Sequence, residues 1–212
     1  MVYHVINKSI AEFVIFNNEF EFYRMIKLMN YYSLENPPQS FSRFIEGKEN
    51  RITTDFNLLQ SFEMERRIVE IIAYCLMPTH LHLILNEIIE GGVSIFMGNM
   101  LNSYSRYFNI KHKRKGPLWQ GRSKKVSVKS DEQLLHLTRY AHLNPVTAYI
   151  VNKPEEWPYS SYNEYLSESN GKERICKYND FLDIKPAVYR EFVEDGISYQ
   201  RDLAKIKHLL LE

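Results

Sequence analysis

Hydrophobic positions along the chain follow two repeats, one of about two residues and one of three to four. Four segments follow the shorter repeat or are apolar throughout, and they predict β-strands: 2–8 (VYHVINK), 68–76 (IVEIIAYCL), 80–86 (HLHLILN) and 124–128. Segment 68–76 is nearly continuously apolar, which is typical of a central strand covered on both faces. Because only a short break at Pro78 separates it from 80–86, the two segments predict an antiparallel pair.

The longer repeat predicts three helices. The first helix follows Asn18, a candidate N-cap residue, with Glu21 three residues later at the capping-box position. The predicted buried stripe of this helix is Phe20, Tyr23, Ile26 and Met29. The second spans 93–110, with an inner stripe of Val93, Phe96 or Met97, Met100, Tyr104, and Tyr107 or Phe108. The third begins at Ser130, with Gln133 at the capping-box position. Residues 35–67, where the pattern loosens, are interpreted as an insertion.

The amino-acid composition is typical of a globular protein that can bury a substantial core. Its 212 residues are 44% hydrophobic and 25% charged. Two cysteines, Cys75 and Cys176, stand in unrelated contexts and provide no disulfide framework or C-x-x-C metal site. The first residues do not resemble a secretory leader, and no apolar run approaches membrane-spanning length. We therefore expect a soluble protein without membrane association in the reducing cytoplasm.

Two histidines one residue apart are the strongest chemical signal in the chain. His80 and His82 lie in the predicted strand 80–86, where alternate side chains project to the same face, and Leu81 and Leu83 project to the other. Two imidazoles on one face of a rigid strand make half of a metal site. The alternative is a pair of partly buried, hydrogen-bonded histidines. A histidine-triad hydrolase would need a third alternating histidine, but residue 84 is Ile84.

Three polar residues share one stripe of the helix that begins at Ser130. His136, Tyr140 and Asn144 are four residues apart, so their side chains project from the same side. Pro145 disfavours helical geometry at the preceding residue, so the sequence predicts that Asn144 lies at or just beyond the helix end. The structural alternative is a packing tyrosine, since the chain holds 15 of them, and an asparagine that only stops the helix.

Positive charge is concentrated in one segment. Residues 111–129 contain eight basic and no acidic residues, which leaves 19 basic against 26 acidic residues elsewhere, a net charge of −7. This asymmetry predicts a polyanionic partner. Trp119 lies within the segment, where an aromatic ring flanked by cations suits stacking on an unpaired base. A solvated basic hairpin is the alternative.

Four motifs in order carry a family resemblance. They are 77–83 (MPTHLHL), 116–122 (GPLWQGR), 139–146 (RYAHLNPV) and 157–162 (WPYSSY). Together they resemble the single-tyrosine HUH transposases, and among these the REP-associated tyrosine transposases and their insertion-sequence relatives. The chain departs from the pattern at Thr79, where asparagine is frequent, and at Ser123, where an aromatic residue is common.

The resemblance covers residues 3–166 and implies a fold. It is an α+β, ferredoxin-like antiparallel sheet with helices on one side, the HUH nuclease fold, with the catalytic tyrosine on a C-terminal helix. It also implies that residues 1–166 form a catalytic domain, with the insertion at 35–67, and that 167–212 form a C-terminal extension.

The resemblance further implies a chemistry and a set of residues. His80, His82 and Asn144 would bind Mg²⁺ or Mn²⁺, and Tyr140 would attack a DNA phosphate to leave a 5′-phosphotyrosine and a free 3′-hydroxyl. His136 is the candidate proton acceptor for that phenol.

The implied partner is single-stranded or hairpin DNA, and the implied assembly is a homodimer for which helix 93–110 could supply a face. Eight residues are the candidate DNA contacts: Arg106, Lys113, Arg114, Lys115, Trp119, Arg122, Lys124 and Lys125. Two alternatives stay open: a catalytically idle, transposase-derived regulator that binds nucleic acid, and an HUH nuclease of replication or mobilisation.

Overall fold

A four-stranded antiparallel sheet forms the centre of the protein. The computed structural model describes residues 1–45, 66–167 and 174–209. The strands are β1 (Val2–Lys8), β2 (Val69–Met77), β3 (His80–Glu87) and β4 (Lys124–Ser127), and they lie in the order β2-β3-β1-β4. All three neighbouring pairs are antiparallel. The four predicted strands are confirmed to within a residue or two.

Helices connect and cover these strands. They are α1 (Glu19–Tyr32), α2 (Phe41–Ile45), α3 (Gly92–Lys111), α4 (Asp131–Thr147), α5 (Tyr162–Leu166), α6 (Pro186–Glu194) and α7 (Ile197–Leu209). The order β1-α1-β2-β3-α3-β4 with this strand arrangement is the ferredoxin-like topology, so the predicted fold class is confirmed. Most of the predicted insertion, residues 46–65, lies outside the described residues. No helix in the described ranges has the length and apolar character needed to cross a membrane.

The two faces of the sheet are covered by different helices. Residues paired across antiparallel strands project to the same face, and Val5 is paired with Leu83 while Ile6 is paired with His82. Val5 lies beside residues of α3, which also packs against α1. Helix α4 packs against β2 and β3 on the other face, where its Tyr140 ring meets His82. The C-terminal helix that carries the tyrosine therefore covers the histidine face, so helices lie on both faces of the sheet and not on one side as predicted.

Both predicted helix caps are present, but the first buried stripe is confirmed only in part. Asn18 accepts a hydrogen bond from the backbone N–H of Glu21, and Ser130 accepts one from that of Gln133. Phe20, predicted to be buried, is 51% exposed. It lies in the first turn of α1, and Tyr23 is half-buried. Ile26 and Met29 are buried as predicted, together with Phe22 and Met25.

Helix α4 does not end at Asn144, contrary to the prediction. It continues through Pro145 to Thr147. Pro145 has no N–H to donate to the carbonyl of Ala141, but the side-chain amide of Asn144 donates to the carbonyls of Tyr140, at 2.8 Å, and of Ala141, at 3.4 Å. This local replacement and the burial of Pro145 and Val146 explain why the helix tolerates the proline.

A buried hydrogen-bond cluster joins α4 to the C-terminal helices. His142 is fully buried, and its two ring nitrogens lie 2.7 Å from the Tyr189 hydroxyl and 2.7 Å from the Ser161 hydroxyl. Burial lowers the pKa of His142 to about 3, so the ring is neutral. Ser161 is itself bonded to the backbone of Tyr74 in β2. Part of the C-terminal region thus packs on the sheet, while a domain boundary at 166 stays a prediction.

Candidate active site

A cleft of about 610 Å³ opens on the histidine face, where β1 and β3 meet α4 and the loop before β4. We call it the histidine cleft. It brings together six of the residues predicted from the sequence: His80, His82, Tyr140, Asn144, Arg122 and Lys124. Ile6, Asn7, Lys8, Gln120 and Gly121 complete the lining. None of these residues is acidic.

The two histidines are held as neutral imidazoles. Their ring centroids are 5.1 Å apart, and His82 is only 4% exposed. Burial lowers the pKa of His80 to about 4, with a smaller contribution from the charge of Lys8. Burial also places the pKa of His82 well below its ordinary range, and the neighbouring His80, His4 and Lys8 act in the same direction. At neutral pH both rings therefore keep a nitrogen lone pair, which is the form that ligates metals.

Each histidine is oriented by a neighbour at its Nδ1. His80 Nδ1 lies 3.1 Å from the hydroxyl of Thr79, and His82 Nδ1 lies 3.3 Å from Nε2 of His4. When Nδ1–H donates in these contacts, Nε2 of each ring carries the lone pair. Metal-binding histidines are commonly fixed in this way by a second partner. Thr79 performs this function at the position where the related motifs often have asparagine.

His4 belongs to the site but was missed in the sequence. Its ring stacks on His82 with a centroid distance of 5.5 Å and an interplanar angle of 19°, and it meets Tyr140 edge-on at 6.2 Å. Burial lowers the pKa of His4 as well. The alternation in 2–8 places His4 and Lys8 on the same face of β1. Lys8 lines the cleft and, like His4, is not among the residues predicted for the site. No pattern in the sequence indicates that β1 pairs with the histidine strand.

Tyr140 lies beside the paired histidines. Its ring centroid is 5.6 Å from that of His82, and the two rings are nearly perpendicular, at 81°. The side chain is 37% exposed, so the phenol is open to a substrate. Burial of the remainder, together with the thiol of Cys75, raises the pKa of Tyr140. The phenol is thus protonated at neutral pH and needs a proton acceptor if it is to act as a nucleophile.

Asn144 offers an oxygen to the same cleft. Because its amide nitrogen donates to the carbonyls of Tyr140 and Ala141, the amide oxygen is the remaining acceptor. Among the described residues, no three His, Cys, Asp or Glu side chains form a group that could hold a metal ion. Two imidazoles and one amide oxygen are the donors that this cleft could offer to a metal ion, a mixture that suits Mn²⁺ and accommodates Mg²⁺.

His136 is not brought into the cleft. It is exposed, its Nδ1 lies 2.9 Å from the guanidinium of Arg139, and its ring packs against Phe192 of α6. The four-residue spacing placed it near Tyr140 along the helix, but the cleft lies toward the sheet and His136 lies toward α6. Its assignment as proton acceptor stays a prediction that this geometry does not favour.

The predicted DNA-contact residues divide between the two faces of the sheet. Lys124 is paired with Ile6 and lines the histidine cleft, whereas Lys125 is paired with Val5 and projects to the opposite face. Arg114 bonds to Asn109 and to the carbonyls of its own loop, and so holds that loop together. Arg106, Lys113 and Lys115 are exposed at and near the end of α3.

Trp119 lies outside the histidine cleft. Its indole N–H donates to the hydroxyl of Ser105, at 2.9 Å, and to the carbonyl of Leu101, at 3.3 Å, both on α3. The half-buried ring lines a second cavity, on the opposite face of the sheet.

The predicted dimer face on α3 is largely core. Six of its apolar residues are buried: Val93, Phe96, Met97, Met100, Tyr104 and Phe108.

Comparisons with known proteins agree with the motifs. Residues 48–144 match the family described as IS200-like transposases, and this match includes both histidines and Tyr140 and ends at Asn144. Over 104 residues, 44% of this chain, the sequence is 25% identical to a putative REP-associated tyrosine transposase of Haemophilus influenzae; the match spans 59% of that protein. These two matches confirm the resemblance inferred from the motifs.

Among solved structures, the chain is similar to one described as a REP-associated tyrosine transposase bound to a REP hairpin. The TM-score is 0.49 and the sequence identity 16%, with 86% of this chain and 88% of that chain covered.

Proposed function

We propose that this protein cleaves and rejoins single-stranded DNA through a covalent bond to Tyr140, as a transposase of the IS200-like kind. One observation carries the proposal: the partly exposed phenol of Tyr140 lies 5.6 Å, ring to ring, from His82, the buried member of a neutral histidine pair, in a cleft that is rimmed by cations. The family match over residues 48–144 supports the same chemistry.

His80, His82 and Asn144 are the residues that would hold a divalent cation, Mg²⁺ or Mn²⁺. Three features suit these residues to a cation: the imidazoles of both histidines are neutral, each Nδ1 has a neighbour that orients the ring, and the amide oxygen of Asn144 is free. When bound, such an ion supplies Lewis-acid polarisation of the phosphate. The rest of the chemistry belongs to the side chains of the cleft, which bind and orient the phosphate.

In the proposed reaction the Tyr140 oxygen forms a bond to the phosphorus as the bond to the 3′-oxygen breaks. The departing oxygen takes the electron pair and a proton and becomes a free 3′-hydroxyl, and the phenol proton passes to a base or to water. Lys8, Arg122 and Lys124 bind the phosphate oxygens and stabilise their charge. Because the phosphodiester is exchanged and not hydrolysed, a second 3′-hydroxyl can reverse the step and join a new strand.

The test is a denaturing gel with single-stranded oligonucleotides labelled at one end, with Mn²⁺ present. Wild-type protein is expected to shift the 3′-labelled strand into a protein adduct and to release the 5′-labelled fragment. Tyr140→Phe is expected to abolish the adduct and keep most of the binding. Tyr149→Phe, which removes the hydroxyl of an exposed tyrosine just after the same helix, is the matched control and is expected to behave as wild type.

Two outcomes contradict the proposal in different ways. An adduct that persists in Tyr140→Phe means that another residue is the nucleophile. Binding without any adduct in the wild type, on substrates that include hairpins, supports the alternative of an idle DNA-binding regulator. A replication or mobilisation nuclease would share the adduct and would differ in the strands it rejoins.

A further inference from the structure

The second cavity, of about 560 Å³, lies on the sheet face opposite the histidine cleft, between β1, α3 and the loop before β4. Its volume is within the range of small-ligand pockets. Apolar side chains from Val5, Met97 and Leu101 line it together with the Trp119 ring, and the amides of Asn7 and Asn102 contribute polar groups. Two exposed cations, Arg122 and Lys125, also line it. A nucleobase with its phosphate can use each of these features. The base stacks on the aromatic ring and packs on the apolar surface, the amides bond to its edge, and the cations bind the phosphate.

A glycine in the middle of α3 lines this cavity. Gly98 lies in a 20-residue helix, where glycine is the poorest choice after proline. A side chain there would meet no described atom within 4 Å of its Cβ, and the backbone is not in the left-handed region. Close packing and backbone conformation, the two usual reasons for a glycine, are therefore absent. Gly98 is exposed and lines the cavity, so a larger side chain at this position would enter open space at the cavity wall.

The cavity wall is held rigidly. The Trp119 ring is tied to α3 through the two hydrogen bonds of its indole nitrogen. Asn7 is 4% exposed, and its amide nitrogen donates to the Ser123 hydroxyl at 2.9 Å and to the Gly121 carbonyl at 3.4 Å. These contacts fix the loop that forms one side of the pocket, so a ligand would meet a preformed surface.

The second cavity and the histidine cleft are neighbours. Asn7, Gly121 and Arg122 line both. Strand β4 pairs with β1 along Tyr3–Ile6, and the segment before it pairs with the same edge again where the Gln120 N–H donates to the Lys8 carbonyl. Arg122 lies in the bulge between these two pairings, at the edge of the sheet where the two cavities meet. Lys124 faces one cavity and Lys125 the other. A charged strand could therefore pass from one face of the sheet to the other past Arg122.

We propose that the second cavity binds an unpaired nucleobase of the DNA strand whose phosphate occupies the histidine cleft. The base lies against Trp119 in the space beside Gly98, and Arg122 and Lys125 contact its flanking phosphates. The inference depends on the proposed function only for the identity of the ligand as DNA.

The test measures binding with a chelator present, so that no strand is cleaved. The probes are a fluorescein-labelled chain of about 15 thymidines, within the range of single-strand site sizes, and a chain with as many phosphates in which abasic tetrahydrofuran spacers replace every nucleoside. Gly98→Leu is expected to weaken binding of the thymidine probe by about tenfold and to leave the abasic probe unchanged. The salt dependence should also stay the same, because no cation is removed.

Asn99→Leu is the matched control. It adds the same side chain at the next, exposed position of α3, which does not line the cavity, and is expected to bind both probes like the wild type. Wild-type affinity of Gly98→Leu for the thymidine probe, or an equal loss on both probes, overturns the proposal. An inactive Tyr140 would leave these results unchanged, so failure of strand cleavage and failure of the base pocket are distinguishable.

Leucine favours a helix more than glycine, so Gly98→Leu should not unfold at a lower temperature. If Gly98→Leu does unfold at a lower temperature, a measurement on the wild-type protein tests the base pocket instead. A 2-aminopurine base moved one position at a time through the thymidine probe is expected to change its fluorescence strongly at one position, and Trp119→Phe to reduce that change. Equal emission at all positions overturns the proposal.

Discussion

Substitution of His4 tests whether the histidine pair is positioned by its surroundings. His4→Phe keeps a ring of similar shape against His82 and Tyr140 but removes the Nε2 atom that lies 3.3 Å from His82 Nδ1. His82 then has no described partner to hold its N–H on Nδ1, so the ring can turn or adopt the other tautomer. Either change takes the Nε2 lone pair away from the position that a metal would use.

The magnitude follows from the geometry of the contact. Loss of an outer partner of a metal-binding histidine typically weakens metal affinity by roughly 10–100-fold. A separation of 3.3 Å is long for a hydrogen bond between nitrogen atoms, and packing against Tyr140 still restrains the ring. We therefore expect the lower end, about tenfold, which corresponds to about 1.4 kcal/mol.

The assay is a titration of Mn²⁺ followed by the electron paramagnetic resonance signal of the free ion. His4→Phe should shift the titration about tenfold, and His4→Gln, whose side-chain oxygen can accept the same hydrogen bond, should recover part of the loss. Strand cleavage should need correspondingly more Mn²⁺ and reach a similar plateau. If His4→Phe binds Mn²⁺ like the wild type, or if both variants lose the metal only because they unfold, the reasoning is refuted.

Three further predictions concern other parts of the protein. His80→Ala and His82→Ala should each remove Mn²⁺-dependent adduct formation on a denaturing gel; adducts formed undiminished in chelator would contradict a metal role. Lys124→Ala should weaken single-strand binding and reduce the slope of log affinity against log salt by about 1 in anisotropy titrations, while Lys129→Ala, an exposed lysine outside the cleft, should keep the wild-type slope. Burial tends to raise the pKa of Glu21, but hydrogen bonds from the Asn17 backbone and from α3 lower it overall. Its contribution to stability is therefore present above its ordinary pKa of 4.5 and is lost as the pH falls through the lowered value. Glu21→Gln should reduce the free energy of unfolding at pH 7 by about 1.5–3 kcal/mol and flatten its acid dependence, as measured by urea denaturation at several pH values; an unchanged acid limb would show that Glu21 does not contribute.

Local patterns in the sequence are sufficient to predict the strands, the helix caps and the central residues of the cleft. The alternation in 80–86 places His80 and His82 on one face because a strand has a period of two, whatever its neighbours are. The cap at Ser130 fixes where the tyrosine helix begins and therefore where Tyr140 projects. These are properties of a few consecutive residues, and they need no knowledge of the tertiary structure.

The features that local patterns could not predict depend on contacts between distant segments or on side-chain compensation. His4 and Lys8 join the site only because β1 pairs with β3, about 80 residues later. The basic neighbours of Trp119 predict that it contacts DNA, but only the hydrogen bonds to α3 and the lining of the second cavity show on which face of the sheet it lies. Helix α4 continues past Pro145 because a side-chain amide replaces the lost donor, a compensation that propensity rules do not include.

The composition of the histidine cleft has a consequence for the order in which its ligands bind. A divalent cation would meet two neutral imidazoles and an amide oxygen there, with Lys8, Arg122 and Lys124 close by and no carboxylate in the lining. The three cations repel a metal ion but attract a phosphate, whose negative charge then offsets that repulsion. Metal and DNA should therefore bind cooperatively, and by linkage each should raise the affinity of the other by the same factor. A Mn²⁺ titration with and without the thymidine probe measures this factor directly; equal Mn²⁺ affinities in the two titrations would mean that the phosphate does not reach the metal site.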